Sequence, residues 1–238
     1  MPDSLLIVGR LVGLWRYPVK SMAGEALDAA EVGWNGVAGD RRWAFVRAGV
    51  ERSGFPWLTI RQKPDLLAYR PRLVAPERPD ASPVQIETPT GATVDVLDPA
   101  LADELGHGAR PIKQDRGVFD AFPISLITTQ TARGLSDLTG RPVAVERFRP
   151  NLVVEASGEA PFPEDAWVGA TLQIGTLAFR VDKRDGRCVV ITVDSETRES
   201  DPAILRAVAQ ERDGCAGVYG SVVTPGRVAV GDAVALVR

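Results

Sequence analysis

Apolar residues along this chain fall in short β-branched or aromatic runs, cut repeatedly by Gly, Pro, Asp and Asn. Runs of this kind predict strands rather than helices. The pattern places strands at Leu5–Arg16, Arg42–Arg47, Arg72–Ala75, Val84–Glu87, Thr93–Leu97 and Val143–Glu146. Further on it places them at Leu152–Glu155, Leu177–Val181, Cys188–Val193, Tyr219–Val223 and Ala233–Val237. Three segments carry helix signals instead. The first opens on Asp98 with Pro99 behind it and stops at Gly106. The second starts near Thr129, lines Ala132, Leu135 and Leu138 along one face, and ends before Gly140. The third opens at Ser200, with Asp201 and Pro202 in its first turn, and turns Ile204, Leu205 and Val208 inward before Gly214. Pro, Glu, Asp and Ser crowd a loop between Pro76 and Ser82, and Pro111 to Pro123 reads as a seam between two lobes.

Composition narrows the classes. The chain has 238 residues, 45% hydrophobic and 25% charged, enough apolar material for a sizeable core. A net charge of −3 carries neither the basic footprint of a nucleic-acid binder nor a polybasic membrane patch. The opening MPDSLLIVGR is too short and too acidic for a signal peptide, and no run approaches the ~20 apolar residues of a membrane helix. The expectation is a cytoplasmic protein with no membrane or nucleic-acid partner. With one histidine, His107 in a Gly-flanked turn, multi-histidine metal sites are excluded. The two cysteines, Cys188 and Cys215, are expected to be reduced thiols.

Cys188 follows Lys183–Arg184–Asp185–Gly186–Arg187, where Asp-Gly predicts a turn leading into a strand. Positive charge beside a thiol favours the thiolate, the form that attacks or ligates soft metals. From this segment alone, a plain buried strand cysteine beside a surface turn is the commoner reading. Cys215, after Asp213-Gly214 at a helix end, reads as structural. Three other turns gather cations: Lys20 and Ser21 in YPVKS, Arg41 and Arg42 in GDRRW, and Arg147, Arg149 and Asn151 in RFRPN. Arginine takes phosphate bidentately and the Asn amide both donates and accepts. Each turn alone reads as ordinary surface charge. Together, in a slightly acidic protein, they suit an anionic small molecule that bears a metal.

These segments, in this order, resemble a known family. YPVKS followed by GDRRW looks like the N-terminal β-barrel module that accompanies MOSC (molybdenum cofactor sulfurase C-terminal) domains. RFRPN, EDAW, GRC with VD, GVYG and PGRVAVGD resemble the MOSC domain itself, in the order seen in the mitochondrial amidoxime reducing component and its bacterial relatives. The resemblance runs from about Leu11 to Val237. It implies a mainly β (α+β) fold with few short helices: an N-terminal β-rich module over residues 1–110 and a barrel-like MOSC domain over residues 111–238.

It further implies a molybdenum cofactor (Mo-molybdopterin), with Cys188 as metal ligand and catalytic residue. Lys20, Ser21, Arg41, Arg149, Asn151, Arg187 and Tyr219 match family positions that hold the pterin and its phosphate. Asp165 and Asp194 match family acids, read here as turn or supporting structure. Two departures stand out: Asp185 occupies a position three before the ligand where many relatives have cysteine, and Met22 follows Ser21 where relatives often have another. The implied activity is two-electron reduction of N-hydroxylated compounds, the small-molecule substrates. Because the sequence ends directly after the VGD strand, the electrons are expected from a separate donor protein of ferredoxin, flavodoxin or cytochrome b5 type with its reductase. The alternatives are a sulfur carrier with a persulfide on Cys188, and a cofactor-binding module without turnover.

Overall fold

The computed structural model describes residues 5–50 and 52–237. Its centre is a closed barrel of seven strands, made from Leu5–Arg16, Ile124–Thr128, Leu152–Ala156, Thr171–Ile174, Leu177–Gly186, Cys215–Thr224 and Ala233–Val237. Closure comes from the first strand, which pairs antiparallel with Ala233–Val237 on one side and with Leu152–Ala156 on the other. Closing the sheet leaves no exposed edge between these strands. Inward-facing Leu11, Leu14, Leu126, Leu152, Val154, Leu172, Phe179, Val181 and Val218 fill the barrel.

Around this barrel sit smaller sheets. Trp43–Val46 pairs with Arg110–Lys113, and Arg70–Leu73, Val84–Glu87 and Thr93–Asp95 form a meander. They cover a second core that includes Val19, Met22, Phe45, Leu58, Leu66, Ile86 and Leu101. Met22 is fully buried there, an apolar replacement in an apolar place. Ala29–Gly33 pairs with Gly226–Ala229, so the two ends of the sequence are joined by hydrogen bonds as well as by packing.

The mainly β fold with three α-helices, among the described residues, is as the sequence implies. The helices are α1 (Pro99–Leu105), α2 (Thr129–Thr139) and α3 (Pro202–Glu211). Each N-terminus is capped by a side-chain oxygen: Asp98 accepts from the Ala100 amide, Thr128 from Thr131 and Asp201 from Ala203. α2 and α3 bury Leu135, Ile204 and Val208 against the outside of the barrel, over Ile127, Val153 and Ala216. Leu138 points outward instead, because the buried stripe of α2 runs through Thr131, Ala132 and Leu135 and leaves it to solvent.

Two predicted strands are corrected. Val143–Glu146 is not a strand; Val145–Phe148 forms a 3-10 turn, which aims the following arginine. Cys188–Val193 is not a strand either. The strand before it runs through Asp185-Gly186 without turning, and Cys188 caps a 3-10 turn at Val189–Thr192. Asp185 is buried and ion-paired to Arg187, so its carboxyl is held inside the cleft rather than turned back to close a turn at the surface. Irregular register between Arg184 and Gly186 absorbs the local bend.

Candidate active site

All eight residues nominated from the sequence line one cleft with about 780 Å³ of empty space, part of it open to solvent. That size suits a cofactor-sized ligand. Segments far apart in sequence supply it: the turns at Lys20 and Arg41, the bend after Phe148, the end of the Leu177–Gly186 strand, and Tyr219 on Cys215–Thr224.

Backbone geometry explains the aim of several side chains. Ser21, Arg41 and Arg149 all have positive φ, at 67°, 50° and 53°. Left-handed backbone is costly for a side-chain-bearing residue and recurs at functional sites. Gly217, at φ 77°, lies under the Arg187 guanidinium, where an added Cβ would stand 3.1 Å from Nη2 and 2.7 Å from the Leu126 carbonyl.

The cations differ in how fully the protein already pairs them. Lys20 Nζ donates to the Val118 carbonyl at 3.0 Å and to Asp120 Oδ1 at 2.5 Å. Burial still holds the Lys20 ammonium below its ordinary range, against the pull of Asp120. Arg41 donates to Asp40 Oδ2 at 2.5 Å, to the Arg149 carbonyl at 3.0 Å and to Asn151 Oδ1 at 3.4 Å. Asn151 is itself committed, with Nδ2 donating to the Trp15 carbonyl and Oδ1 accepting from the Ser125 amide. Arg187 donates to the carbonyls of Ala216 and Phe148 and lies 2.7 Å from Asp185 Oδ2. Arg149 differs in making no ion pair among the described residues. Its guanidinium stacks over Tyr17 at 4.3 Å, and its buried Nη2 has no hydrogen-bond partner. Burial pulls it down to about 10. An unpaired buried guanidinium in a cleft is costly unless an anion completes it.

Cys188 Sγ accepts from Arg61 Nη2 at 3.0 Å. Its sequence neighbour Arg187 is turned away into the carbonyls just described, so the cation that meets the thiol comes from 127 residues earlier. Cys188 and Cys215 are both free thiols, and only Cys188 lines the cleft. Among the described residues no group of three His, Cys, Asp or Glu could hold a metal, so a metal here would take most of its ligands from elsewhere.

Sequence reasoning did not nominate Arg61, Asp120, Ser125, Phe55, Phe119 or Phe122, which also line the cleft. They sit in loops or in the fully buried strand Ile124–Thr128, without motif or charge cluster to mark them. Asp165 pairs with Arg184 and Arg212, and Asp194 with Arg147 and two backbone amides, which makes both supporting structure.

Asp185 has a buried carboxyl that accepts from Ser125 Oγ at 3.3 Å, faces the Tyr219 hydroxyl, and leaves Oδ1 without a hydrogen bond. Burial raises it to about 6, against the opposing pull of Arg187, Tyr219 and Ser125. A carboxyl raised on folding lends stability at low pH and loses it as pH climbs toward the folded value. Asp185→Asn, which cannot ionise, escapes that loss. We expect the variant to gain roughly 1–2 kcal/mol on wild type between pH 5 and pH 8, read by urea unfolding of metal-free protein. A constant difference across that range would show that Asp185 does not titrate there.

Two family models match the chain. The description "MOSC domain" matches residues 113–235, more than half of it, and "MOSC N-terminal beta barrel domain" matches residues 8–104. The chain belongs to the MOSC family. Relatives of this MOSC chain include the molybdenum cofactor sulfurase of Drosophila mojavensis, 24% identical over 86% of the chain and 30% of that protein. It thus spans less than a third of that sulfurase's length. Human mitochondrial amidoxime-reducing component 1 is 24% identical over 96% of the chain and 83% of that protein. Among solved structures, the YuaD protein of Bacillus subtilis superposes with a TM-score of 0.56 at 15% identity, covering 98% of this chain and 97% of that one, a likeness of fold. No helix among the described residues is long and apolar enough to cross a membrane.

Proposed function

We propose that the cleft holds a molybdenum–pterin cofactor ligated by Cys188, and that the protein reduces N-hydroxylated compounds by two electrons. The observation that carries this reading is the pairing, in one cleft, of an accessible thiol with a half-buried guanidinium, Arg149, whose buried Nη2 lacks a partner. The donor set fits the group. A soft thiolate suits molybdenum, and Arg149, with Lys20 and Arg41 beside it, suits the pterin phosphate. When bound, the cofactor supplies the two-electron oxygen chemistry; the protein supplies ligation, orientation and charge.

Converting N–OH to N–H with release of water consumes two electrons and two protons. The electrons would come from a separate one-electron carrier protein. Asp185, with its unpaired Oδ1 and its raised value of about 6, is suited to exchange a proton near neutral pH. Tyr219 is held protonated by burial and by Asp185, so it would act as a hydrogen-bond donor. Phe55, Phe119 and Phe122 give the cleft an apolar side that limits water.

The test is metal analysis of protein from a host that makes molybdenum cofactor, followed by reduction of benzamidoxime with a chemical electron donor. Near-stoichiometric molybdenum and formation of benzamidine are expected. Labile sulfur on Cys188 without molybdenum would favour the sulfur carrier, the activity that the names of the sulfurase relatives suggest. Molybdenum without turnover would leave a binding module.

A further inference from the structure

Arg61 enters the cleft from the loop between the Trp43–Val46 strand and the short turn at Pro64–Ala68. Its backbone is fixed. Gln62 Oε1 accepts from the Thr59 amide at 3.0 Å and from Thr59 Oγ1 at 2.8 Å. The Lys63 amide donates back to the Thr59 carbonyl, and the Leu58 amide to the Phe45 carbonyl. Thr59 and Ile60 are buried, whereas the Arg61 side chain is exposed at the tip. A rigid turn therefore delivers a mobile-length cation to a fixed place.

At that place the guanidinium stacks on Phe55, 5.2 Å from the ring centroid, and reaches Sγ of Cys188. Asp120, the acid whose charge is felt from Arg61, is already taken by Lys20 at 2.5 Å. Among the described residues Arg61 makes no ion pair with a carboxylate. Its full charge is thus presented to whatever lies in front of Cys188, beside the apolar wall of Phe55, Phe119 and Phe122.

We propose that Arg61 makes the open side of Cys188 a subsite for anionic groups, so that the preferred substrates carry a carboxylate or phosphate near the reducible N–O bond. The assignment of substrates rests on the reductase reading; the subsite itself does not. A guanidinium takes either anion through two parallel hydrogen bonds, which a neutral substrate forgoes. The pterin phosphate has the same chemistry, so the experiment must separate the two.

The first arm uses metal-free protein carrying Cys215→Ser, leaving Cys188 as the thiol. Rates of alkylation by iodoacetate and by iodoacetamide are measured, and their ratio cancels the thiol's own reactivity. Arg61→Gln is expected to lower the iodoacetate-to-iodoacetamide ratio about fivefold, the scale of a partly exposed charge pair. Arg61→Lys should restore most of it, and high salt should erode it in wild type. A ratio unchanged in Arg61→Gln overturns the proposal.

The second arm uses loaded enzyme and compares kcat/KM for 3-carboxybenzamidoxime and benzamidoxime. A similar fall in that preference in Arg61→Gln, with molybdenum content unchanged, is the expected result. Loss of molybdenum with an unchanged preference would give Arg61 to the cofactor phosphate and overturn the proposal. If the protein holds no molybdenum at all, the reductase reading falls while the alkylation arm still decides the subsite.

Discussion

Cys188→Ala is expected to lose at least nine-tenths of its molybdenum and its reductase activity to background, while melting within a few degrees of wild type. The loss is near-complete because no second protein ligand stands by. Cys215 does not line the cleft, and no other cluster of metal-ligating residues exists among the described residues. The fold survives because Cys188 is only partly buried and its extended backbone, φ −131° and ψ −176°, suits alanine as well as cysteine. Partly exposed substitutions of this kind cost within ~0.5–1 kcal/mol. Cys215→Ser in parallel should retain metal and turnover. Molybdenum retained in Cys188→Ala would remove the thiol from the metal site and with it the reductase reading. Circular dichroism melting guards against the trivial outcome of an unfolded variant.

Much of this site is legible in the sequence, and the reason is chemical. Lys20, Arg41 and Arg149 sit at turns marked by Gly, Pro or Asp, and Cys188 at a strand end, where a side chain leaves the sheet. Such punctuation is local, so single segments reveal it. Arg61 and Asp120 lie on loops outside the barrel strands and become cleft residues only because those loops pack against the barrel. The contact that brings residue 61 to residue 188 joins a loop of one sheet to the end of a barrel strand, and no local pattern carries a contact that spans 127 residues. The partners of Arg187 were misread for the same reason: proximity in sequence to Cys188 suggested a charge beside the thiol, but its side chain faces the neighbouring strand.

The fold shows the same division. Helices α1 to α3 announced themselves by caps and glycine stops. The Ile124–Thr128 strand did not, because all five residues are buried and the run has no alternation to count. The strand through Asp185-Gly186 defeated a turn signal that is strong in isolation. Burial of Asp185 between Arg187 and Ser125 outweighs the local preference.

The remaining large effect sets stability against function. Arg149→Met keeps much of the length of the side chain and removes a charge that no carboxylate among the described residues pairs. Removing an unpaired buried group relieves its desolvation cost, so metal-free Arg149→Met should be more stable than wild type by ~1–3 kcal/mol in urea unfolding. On the proposed reading, the cofactor phosphate offsets that cost in wild type. Arg41 lies on the same Tyr17 ring at 4.6 Å but is satisfied by Asp40, so its replacement by Met should destabilise instead. With cofactor that advantage narrows or is lost. A charge-assisted hydrogen bond to phosphate contributes ~1.5–3 kcal/mol, which is about ten- to a hundredfold in affinity. Ligand binding stabilises the folded state in proportion to that affinity, so the rise in Tm on loading should be smaller in Arg149→Met than in wild type. Molybdenum retained after dialysis should fall in step. A variant that is less stable when empty and retains molybdenum normally would make Arg149 a structural residue. The phosphate would then rest on Lys20 and Arg41, whose charges are already met by Asp120 and Asp40.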